Sequence, residues 1–257
     1  MNADRAIAGK PGSRWQPAAA FVAHRGGGTL APENTLAAMR CGWDHGYRMF
    51  EFDARLAADG SVVLMHDDTA QRTTDGQGRV SALDAGALAA LDAGAWHSAR
   101  YAGEAVPTLG RIARWLRANG AAADLEIKAD AGQEAEAGGV IGAEAAALWD
   151  GVDTPPLVTS FSEAALAAAR ETAPHLPRAL LLSAPGIDWL ERCLALDCVG
   201  VVVDHTRVDA PLISKAHARG LSVMAYTVND PNRAALLRAW GLDAVITDAL
   251  ERISPRR

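Results

Sequence analysis

The stretch that decides the fold is MFEFDARLAADGSVVLMH, residues 49–66, in which two apolar runs flank a short polar turn. Met49–Asp53 and Val62–Met65 have the aromatic and β-branched composition of buried strands. The connection between them, Ala54–Ser61, contains a turn at Asp59 and Gly60 and is too short for the crossover that parallel neighbours need. The second run is therefore predicted to return antiparallel beside the first, forming a hairpin arm of about residues 54–66.

Outside this hairpin, short apolar runs alternate with segments of helical period along the rest of the chain. The other predicted strands are Phe21–Ala23, Asp124–Ile127, Leu157–Ser160, Ala179–Leu182, Val199–Val203, Leu221–Tyr226 and Ala244–Thr247. The predicted helices are Glu33–Trp43, Leu83–Leu91, Leu109–Ala118, Val140–Leu148, Ser162–Thr172, Asp188–Leu196, Asp209–Ala218 and Pro231–Trp240. Without the returning run, eight parallel strands remain. The pattern thus predicts an α/β protein with a single TIM-type (β/α)8 barrel and the hairpin arm at its C-terminal mouth.

Length and composition agree with one domain. The 257 residues are 49% hydrophobic and 22% charged, enough to bury a large core. We expect a flexible N-terminal lead over residues 1–20, a catalytic barrel over 21–250 and a C-terminal tail over 251–257. The net charge of −6 argues against nucleic acid as a partner, and no apolar run reaches the roughly 18 residues of a membrane span.

The cysteines give an expectation about location. Cys41, Cys193 and Cys198 are odd in number and scattered, which argues against a disulfide framework. The first twenty residues contain no apolar stretch long enough for a signal sequence. Both observations favour a cytoplasmic protein with reduced thiols.

Acidic residues mark the carboxyl ends of two predicted strands. Glu51 and Asp53 are two residues apart, so their side chains share one face at a spacing of about 6–7 Å along the strand. Glu126 and Lys128 repeat this arrangement. Carboxylates gathered at one end of a barrel repel each other unless a cation lies between them, and three hard oxygen donors suit one Mg²⁺ or Ca²⁺ ion. The alternative is that each carboxylate simply pairs with an Arg or Lys at the rim.

Two histidines are candidate catalytic residues. His24 and His66 each follow an apolar run, so both are expected to point into the mouth, and imidazole is the side chain that titrates near neutrality. A single histidine at a strand end is more often structural. The presence of two, flanked by Arg25 and Asp67 and facing a carboxylate cluster, favours proton transfer.

The candidate substrate-binding residues are Arg25, Lys128 and Tyr226. Arg25 precedes three glycines, and together they offer forked donors and accessible backbone N–H groups to an anionic ligand. Lys128 would meet the same anion from the opposite side, unless it only pairs with Glu126. Tyr226 ends a strand at this mouth and is either a substrate contact or a core aromatic. Glu33, otherwise a helix-cap residue, is a candidate partner for Arg25.

These residues fall within an ordered set of motifs that closely resembles the glycerophosphodiester phosphodiesterase family, most of all its bacterial cytoplasmic members linked to glycerol-3-phosphate supply. The matching stretches are Val22–Gly28, Leu30–Thr35, Glu51–Asp53, His66–Asp68 with Arg72–Thr74, Leu91–Gly94, Pro107–Leu109, Leu125–Lys128, Ser160–Phe161, Tyr226–Asn229 and Thr247–Asp248. One departure is Tyr226, which stands where many members carry tryptophan. It affects the shape of the expected alcohol-binding wall.

The resemblance implies a barrel that holds a divalent cation through the residues matching Glu51, Asp53 and Glu126. It also implies hydrolysis of small glycerophosphodiesters, such as glycerophosphocholine or glycerophosphoethanolamine, to sn-glycerol 3-phosphate and an alcohol. On this basis we expect acid–base catalysis by His24 and His66 through a cyclic phosphate. Two alternatives stay open at this point: a phospholipase-type phosphodiesterase, and a non-catalytic barrel that binds a phosphorylated metabolite.

Overall fold

The computed structural model describes residues 14–255 and contains one nine-stranded sheet surrounded by helices. The strands are β1 Phe21–Ala23, β2 Met49–Leu56, β3 Val62–Leu64, β4 Ala122–Ile127, β5 Leu157–Ser160, β6 Arg178–Leu182, β7 Gly200–Asp204, β8 Ser222–Tyr226 and β9 Ala244–Thr247. The helices are α1 Leu36–Asp44, α2 Ala85–Ala89, α3 Leu109–Asn119, α4 Glu134–Leu148, α5 Glu163–Thr172, α6 Trp189–Ala195, α7 Ala210–His217 and α8 Pro231–Ala239.

Eight of the strands close into a parallel barrel, as the sequence predicts. They follow the order β1-β9-β8-β7-β6-β5-β4-β2, and Ala23 closes the ring by pairing with Phe50 on one side and Thr247 on the other. The ninth strand, β3, lies outside this ring; it pairs with β2 and runs antiparallel to it, with Ala54 opposite Leu64 and Leu56 opposite Val62. The predicted TIM barrel and its hairpin arm are both confirmed.

The alternation of side chains along each strand separates two apolar layers. Outward-facing residues such as Phe50 and Phe52 pack against the helices, where they meet the buried side chains of α3. Inward-facing residues such as Met49 and Val22 form a smaller cluster inside the barrel. Because β2 has a period of two, Glu51 and Asp53 continue the inward-facing row of Met49 toward the mouth.

The arm continues beyond the predicted hairpin: it extends from the end of β2 to the start of α3 and carries its own small core. Its buried residues are Ala57, Val63, Met65, Val80, Leu88, Ala93 and Val106. Arg55, near the end of β2, connects this arm to the barrel, since its Nε donates to the His66 carbonyl oxygen at 3.1 Å and its Nη1 lies 3.1 Å from Asp130 Oδ1 in the segment between β4 and α4. Arg79 and Ser81 of the arm contact the same carboxylate. The arm is thus a satellite cluster attached to the mouth.

Two local expectations need correction. The helix predicted over Val140–Leu148 begins six residues earlier, at Glu134, so that in the segment 129–139 only residues 129–133 lack regular structure. Gly138 lies inside this helix. Only glycine fits there, because a Cβ atom would lie 2.1 Å from the carbonyl oxygen of Ala165, and its absence allows α4 and α5 to approach closely. The first helix begins at Leu36, not Glu33, because the Thr35 hydroxyl caps the N–H of Ala38.

The opposite end of the barrel is covered by residues 14–20, which directly precede β1. Arg14 lies 2.5 Å from Asp243, and Trp15 packs against the inner cluster. Residues 1–13 of the predicted lead and 256–257 of the predicted tail lie outside the described residues. Within residues 14–255, no helix has the length and apolar character needed to cross a membrane.

Candidate active site

Three carboxylates converge at the mouth of the barrel. Glu51 and Asp53 extend from β2, and Glu126 extends from β4, where it is paired in register with Asp53. Each side chain offers one oxygen, and these oxygens lie within 4.8 Å of one another. All three residues are buried. The strand pairing therefore brings together the three ligands that the sequence predicts.

The electrostatics of this cluster fit a cation. Burial and the nearby charges of Asp53 and Glu126 raise the pKa of Glu51 well above its usual range. Burial, with the charge of Asp53, raises the pKa of Glu126 to about 7. Glu51 Oε1 is buried and has no hydrogen-bond partner among the described residues. A hard dication between the three carboxylates would neutralise this repulsion and provide the missing partner.

Asp53 is the most heavily compensated member of the cluster. Its Oδ1 lies 3.3 Å from Lys128 Nζ, and its Oδ2 lies 3.6 Å from Arg25 Nε. Burial alone would raise the pKa of Asp53, but the two cations outweigh it and lower the pKa to about 2. Asp53 thus stays ionised at the centre of the site.

Asn34 holds Asp53 in place and was not identified as a site residue from the sequence. Its side-chain amide donates to Asp53 Oδ2 at 2.7 Å, and its side-chain oxygen accepts from the backbone N–H of Asp53 at 3.0 Å. It adopts a left-handed backbone conformation with φ of 60°, which asparagine tolerates better than most residues. That tolerance is the signal that could have separated Asn34 from an ordinary helix cap.

His24 follows β1 and is oriented by the last strand of the barrel. Its Nδ1 lies 2.6 Å from Asp248 Oδ1, and its Nε2 lies 3.8 Å from Glu51 Oε2. Asn229 donates to the other oxygen of Asp248 at 3.1 Å. Gly28 permits this contact between the two loops, because a Cβ atom there would lie 2.2 Å from the carbonyl oxygen of Asp248. The imidazole Nε2 consequently faces the carboxylate cluster.

His66 enters the site from the arm. Its Nδ1 lies 2.7 Å from Asp67 Oδ1, and its carbonyl oxygen accepts a 3.1 Å hydrogen bond from Arg55 Nε. Burial lowers the pKa of His66, although the charges of Asp53 and Asp67 oppose that shift. Both predicted histidines therefore border the carboxylate cluster, one on a barrel strand and the other on the arm.

Two cations complete the polar half of the site. Arg25 has φ of 49°, its backbone N–H donates to Glu51 Oε2 at 2.8 Å, and its Nη1 donates to Glu33 Oε1 at 2.7 Å. Lys128 forms an ion pair with Glu126 in addition to its contact with Asp53. Burial opposes the charge of Lys128, but Asp53 and Glu126 raise its pKa, so the ammonium group persists.

An aromatic pair forms the apolar side of the mouth. The rings of Phe161 and Tyr226 meet edge to face with centroids 5.8 Å apart, and Lys128 Nζ lies 5.6 Å from the Phe161 centroid. Phe161 is 45% exposed, unusual for a phenylalanine, because nothing among the described residues covers it on the mouth side. The pair offers an apolar wall beside a charged site.

A fourth buried carboxyl group lies deeper in the barrel. Asp124 is two residues before Glu126 on β4, accepts a 3.0 Å hydrogen bond from the Thr159 hydroxyl and has its pKa raised to about 7 by burial. Asp124 is not among the predicted site residues, although its spacing from Glu126 indicates that its side chain lies on the same inward face. It adds negative charge beneath the cluster.

The site combines three clustered carboxylates, two cations and two imidazoles, and each imidazole has a further carboxylate bonded to its Nδ1. This arrangement can bind a phosphate group, neutralise charge that develops on its oxygens, and move protons on two sides of it. All eight predicted site residues lie at this mouth. Two more supporting residues, besides Asn34, are not among the predicted site residues. Arg55 contacts the histidine-bearing arm, and Arg72 lies on it.

Comparison with known proteins gives a consistent result. A model of the Glycerophosphoryl diester phosphodiesterase family matches residues 24–252. The Bacillus subtilis protein YhdW is 32% identical over 89% of this chain and 93% of its own length. A glycerophosphodiester phosphodiesterase of Caldanaerobacter subterraneus is 27% identical over 90% of this chain and 95% of its own.

A solved structure extends this likeness to three dimensions. An Oleispira antarctica phosphodiesterase, determined in complex with the product sn-glycerol-3-phosphate, aligns with a TM-score of 0.85. Its sequence is 35% identical, and the match covers 93% of this chain and 95% of that one. The fold and the sequence thus point to the same group of enzymes.

Proposed function

This chain belongs to the glycerophosphoryl diester phosphodiesterase family, and from that premise we propose that it hydrolyses small glycerophosphodiesters to sn-glycerol 3-phosphate and a free alcohol. The observation that carries the proposal is the placement of His24 and His66 around the Glu51, Asp53 and Glu126 carboxylates at one mouth. The sn-glycerol-3-phosphate complex of the Oleispira antarctica relative supports the same product here.

We assign Glu51, Asp53 and Glu126 as the residues that would hold one divalent cation, Mg²⁺ or Ca²⁺. The unpartnered Glu51 oxygen and the raised pKa of Glu126 support this assignment. When bound, such an ion supplies Lewis-acid stabilisation of negative charge on the phosphate oxygens.

Arg25 and Lys128 are assigned to the non-bridging phosphate oxygens. Both cations already face Asp53 from different sides, and each retains its charge despite burial. A guanidinium fork matches two phosphate oxygens, whereas the ammonium group acts as a point charge. Together they orient the diester with phosphorus between the two histidines.

His24 is assigned as the general base. With Nδ1 bonded to Asp248, its Nε2 is free to accept the proton of the glycerol hydroxyl next to the phosphoester. That hydroxyl oxygen forms a bond to phosphorus and closes a cyclic phosphate, while the bond from phosphorus to the alcohol oxygen breaks. His66 protonates the departing alcohol. Water then opens the ring, with the two histidines in reversed roles.

Tyr226 and Phe161 are assigned to the wall beside the substrate's apolar parts. Their edge-to-face packing fixes the wall next to Lys128, so a bound diester would lie between an ionic side and an aromatic side. We also propose a cytoplasmic location, supported by three free cysteines among the described residues.

The decisive test measures release of the free headgroup alcohol from glycerophosphocholine, glycerophosphoethanolamine and a long-chain phospholipid, and release of glycerol 3-phosphate from the two small diesters. Each reaction is run untreated, with a chelator, and after restoring Mg²⁺ or Ca²⁺. We expect turnover of the small diesters only, lost on chelation and regained with one of the ions. Turnover that ignores chelation would contradict the metal assignment, and turnover of the phospholipid alone would contradict the substrate class.

The histidine roles have a separate test. His24→Ala and His66→Ala should each lower kcat on the order of 10²-fold or more, the range typical of general acid–base catalysis. His45→Ala is the control, because His45 lies at the end of α1 and bonds to the Cys41 carbonyl away from the site. Near-full activity in both variants would refute the mechanism.

A further inference from the structure

One guanidinium group on the arm contacts two carboxylates that belong to different parts of the molecule. Arg72 Nε and Nη2 donate to the two oxygens of Asp67 at 2.5 and 3.0 Å. Arg72 Nη1 and Nη2 donate to the two oxygens of Glu33, both at 2.8 Å. Each carboxylate is held in the forked geometry that makes arginine pairs directional. Arg72 therefore links the arm to the loop that follows β1.

Both carboxylates also contact proposed active-site residues. Asp67 Oδ1 lies 2.7 Å from His66 Nδ1, and Glu33 Oε1 accepts from Arg25 Nη1 at 2.7 Å. The result is a continuous row of alternating charge, Arg25–Glu33–Arg72–Asp67–His66. Among the described residues, Arg72 itself contacts neither the carboxylate cluster nor its two flanking cations, Arg25 and Lys128.

His66 needs such support more than His24 does. His24 follows a barrel strand directly, and its partner Asp248 follows the neighbouring strand β9. Asp67 instead lies beside His66 on the arm, in a segment without regular structure, and the His66 side chain is 34% exposed, against 16% for His24. Without Arg72, the Asp67 carboxylate could rotate toward water and leave the imidazole free to turn.

We propose that Arg72 is a positioning residue for the reaction: anchored on Glu33, it fixes Asp67 and thereby orients the His66 imidazole toward the substrate. This inference rests on the proposed function, because it assumes that His66 takes part in turnover. Arg72 would thus act without itself contacting the substrate phosphate or the three carboxylates Glu51, Asp53 and Glu126.

A purely structural role would have a different signature. The Arg72 side chain is 44% exposed, and ion pairs this close to solvent add little to the free energy of unfolding. A contribution confined to stability would lower Tm slightly and leave kcat unchanged. A positioning role lowers kcat while KM and Tm stay near their wild-type values, because the phosphate and the fold are still held by other residues.

The first experiment compares Arg72→Met, Arg72→Lys and the matched control Arg100→Met. Arg100 lies on the same arm and packs over the Tyr101 ring, away from the ionic row. We expect Arg72→Met to lower kcat by about 10- to 100-fold, the loss typical of removing a group that orients a functional histidine. KM should change by less than about threefold. Lysine should restore little, since it cannot form two forked pairs.

The second experiment is a double-mutant cycle with His66→Ala. If Arg72 acts through His66, Arg72→Met should cost no more than about threefold in kcat in the His66→Ala background. Equal losses in both backgrounds, or an unchanged kcat in Arg72→Met, would overturn the proposal. Should Arg72→Met fail to fold, Asp67→Asn weakens the pairing of Arg72 with Asp67 and takes its place in the cycle.

The same cycle separates this proposal from the proposed function. A wild-type enzyme that releases no glycerol 3-phosphate would overturn the function and the role of Arg72 together. Wild-type turnover with additive losses would overturn only the role of Arg72.

Discussion

The acidic residues of the site stand on two strands paired along their length, whereas His66 stands on an arm that side chains tie to the barrel. In the first region, backbone register sets the spacing of Glu51, Asp53 and Glu126. In the second, ionic contacts set the position of one imidazole. A single active site can thus have one part fixed by strand pairing and another part fixed by ionic contacts between side chains.

The two regions also differ in how their charges are balanced. The barrel crowds like charges in a buried space, which raises the pKa of Glu51 and of Glu126. The arm alternates charges, and the hydrogen bonds from Arg72 lower the pKa of Asp67. We therefore expect loss of a bound cation to disturb the charge balance of the barrel most, and loss of one charged side chain to disturb that of the arm most.

The largest expected effect comes from removing core volume on either side of this comparison. Leu116 in the barrel's outer layer and Leu88 in the arm's core are both fully buried. Leu116→Ala and Leu88→Ala should each cost about 2–5 kcal/mol in the region concerned. We expect Leu116→Ala to lower the Tm of the whole chain, measured by circular dichroism.

Leu88→Ala should instead loosen the arm first. Hydrogen exchange in residues 62–106 should rise while the barrel strands stay protected, and activity should be lost at a temperature below the global Tm. If both variants melt and lose activity together, the arm is not a separate unit and the comparison fails.

A smaller effect concerns cation binding to the barrel. A divalent ion that binds only the folded chain should add about 2.7 kcal/mol to the free energy of unfolding at 100 times its Kd. Glu126→Gln should remove most of this gain, measured as the Tm difference between chelated and Mg²⁺- or Ca²⁺-loaded protein. Asp68→Asn is the control, because Asp68 is an acidic residue on the arm that pairs with Arg79. Equal gains in both variants would contradict the assigned ligands.

The third effect is a pH dependence of the chelated protein. The folded pKa of Glu126 is raised to about 7, so the folded state binds a proton that the unfolded state releases. Stability then falls as pH rises through 7 and increases on acidification from pH 8 to 6, by about 1 kcal/mol for this one group.

The arm's carboxylates carry the opposite sign. The lowered pKa values of Asp67 and Glu33 give stability that is lost only as pH falls below about 4.

Tm measurements with chelator from pH 8 to 6 check the predicted contribution of Glu126 in the barrel. A Tm that falls over this range would contradict the crowding of like charges.

The smallest expected effect lies at the outer edge of the arm. Arg79 pairs with Asp68 and Asp130, and its side chain is 53% exposed. Arg79→Met should leave both Tm and kcat near their wild-type values. A loss of kcat comparable to that of Arg72→Met would mean that ionic contacts anywhere on the arm, not one particular row, place His66.

Much of this architecture follows from periodicity in the sequence. The short turn before Val62 requires an antiparallel return, and the spacing of Glu51 and Asp53 requires a shared face. Both are local rules, and both are confirmed. Close approach is not local: Gly138 lies outside the predicted helix Val140–Leu148, because its packing partner Ala165 is 27 residues further along the chain.

The supporting residues escaped for a similar reason. Asn34 holds Asp53 and Arg72 joins Asp67 to Glu33 only after the loop, the strand and the arm have come together. The motif resemblance includes both positions, but their neighbours in sequence do not show which carboxylates they contact. Sequence patterns predict the groups proposed to react and one supporting pair, Glu33 with Arg25, whereas the contacts of Asn34 and Arg72 appear only in the folded structure.

The contact between the first and last barrel strands has a consequence for biosynthesis. His24 is synthesised 224 residues before its partner Asp248, which follows β9, the last of the described barrel strands in chain order. Until β9 inserts between β8 and β1, the nascent sheet keeps two open edges and the early imidazole lacks its orienting carboxylate. Turnover should thus begin only when the ring closes, so that chains terminated before β9 accumulate as inert, edge-exposed fragments.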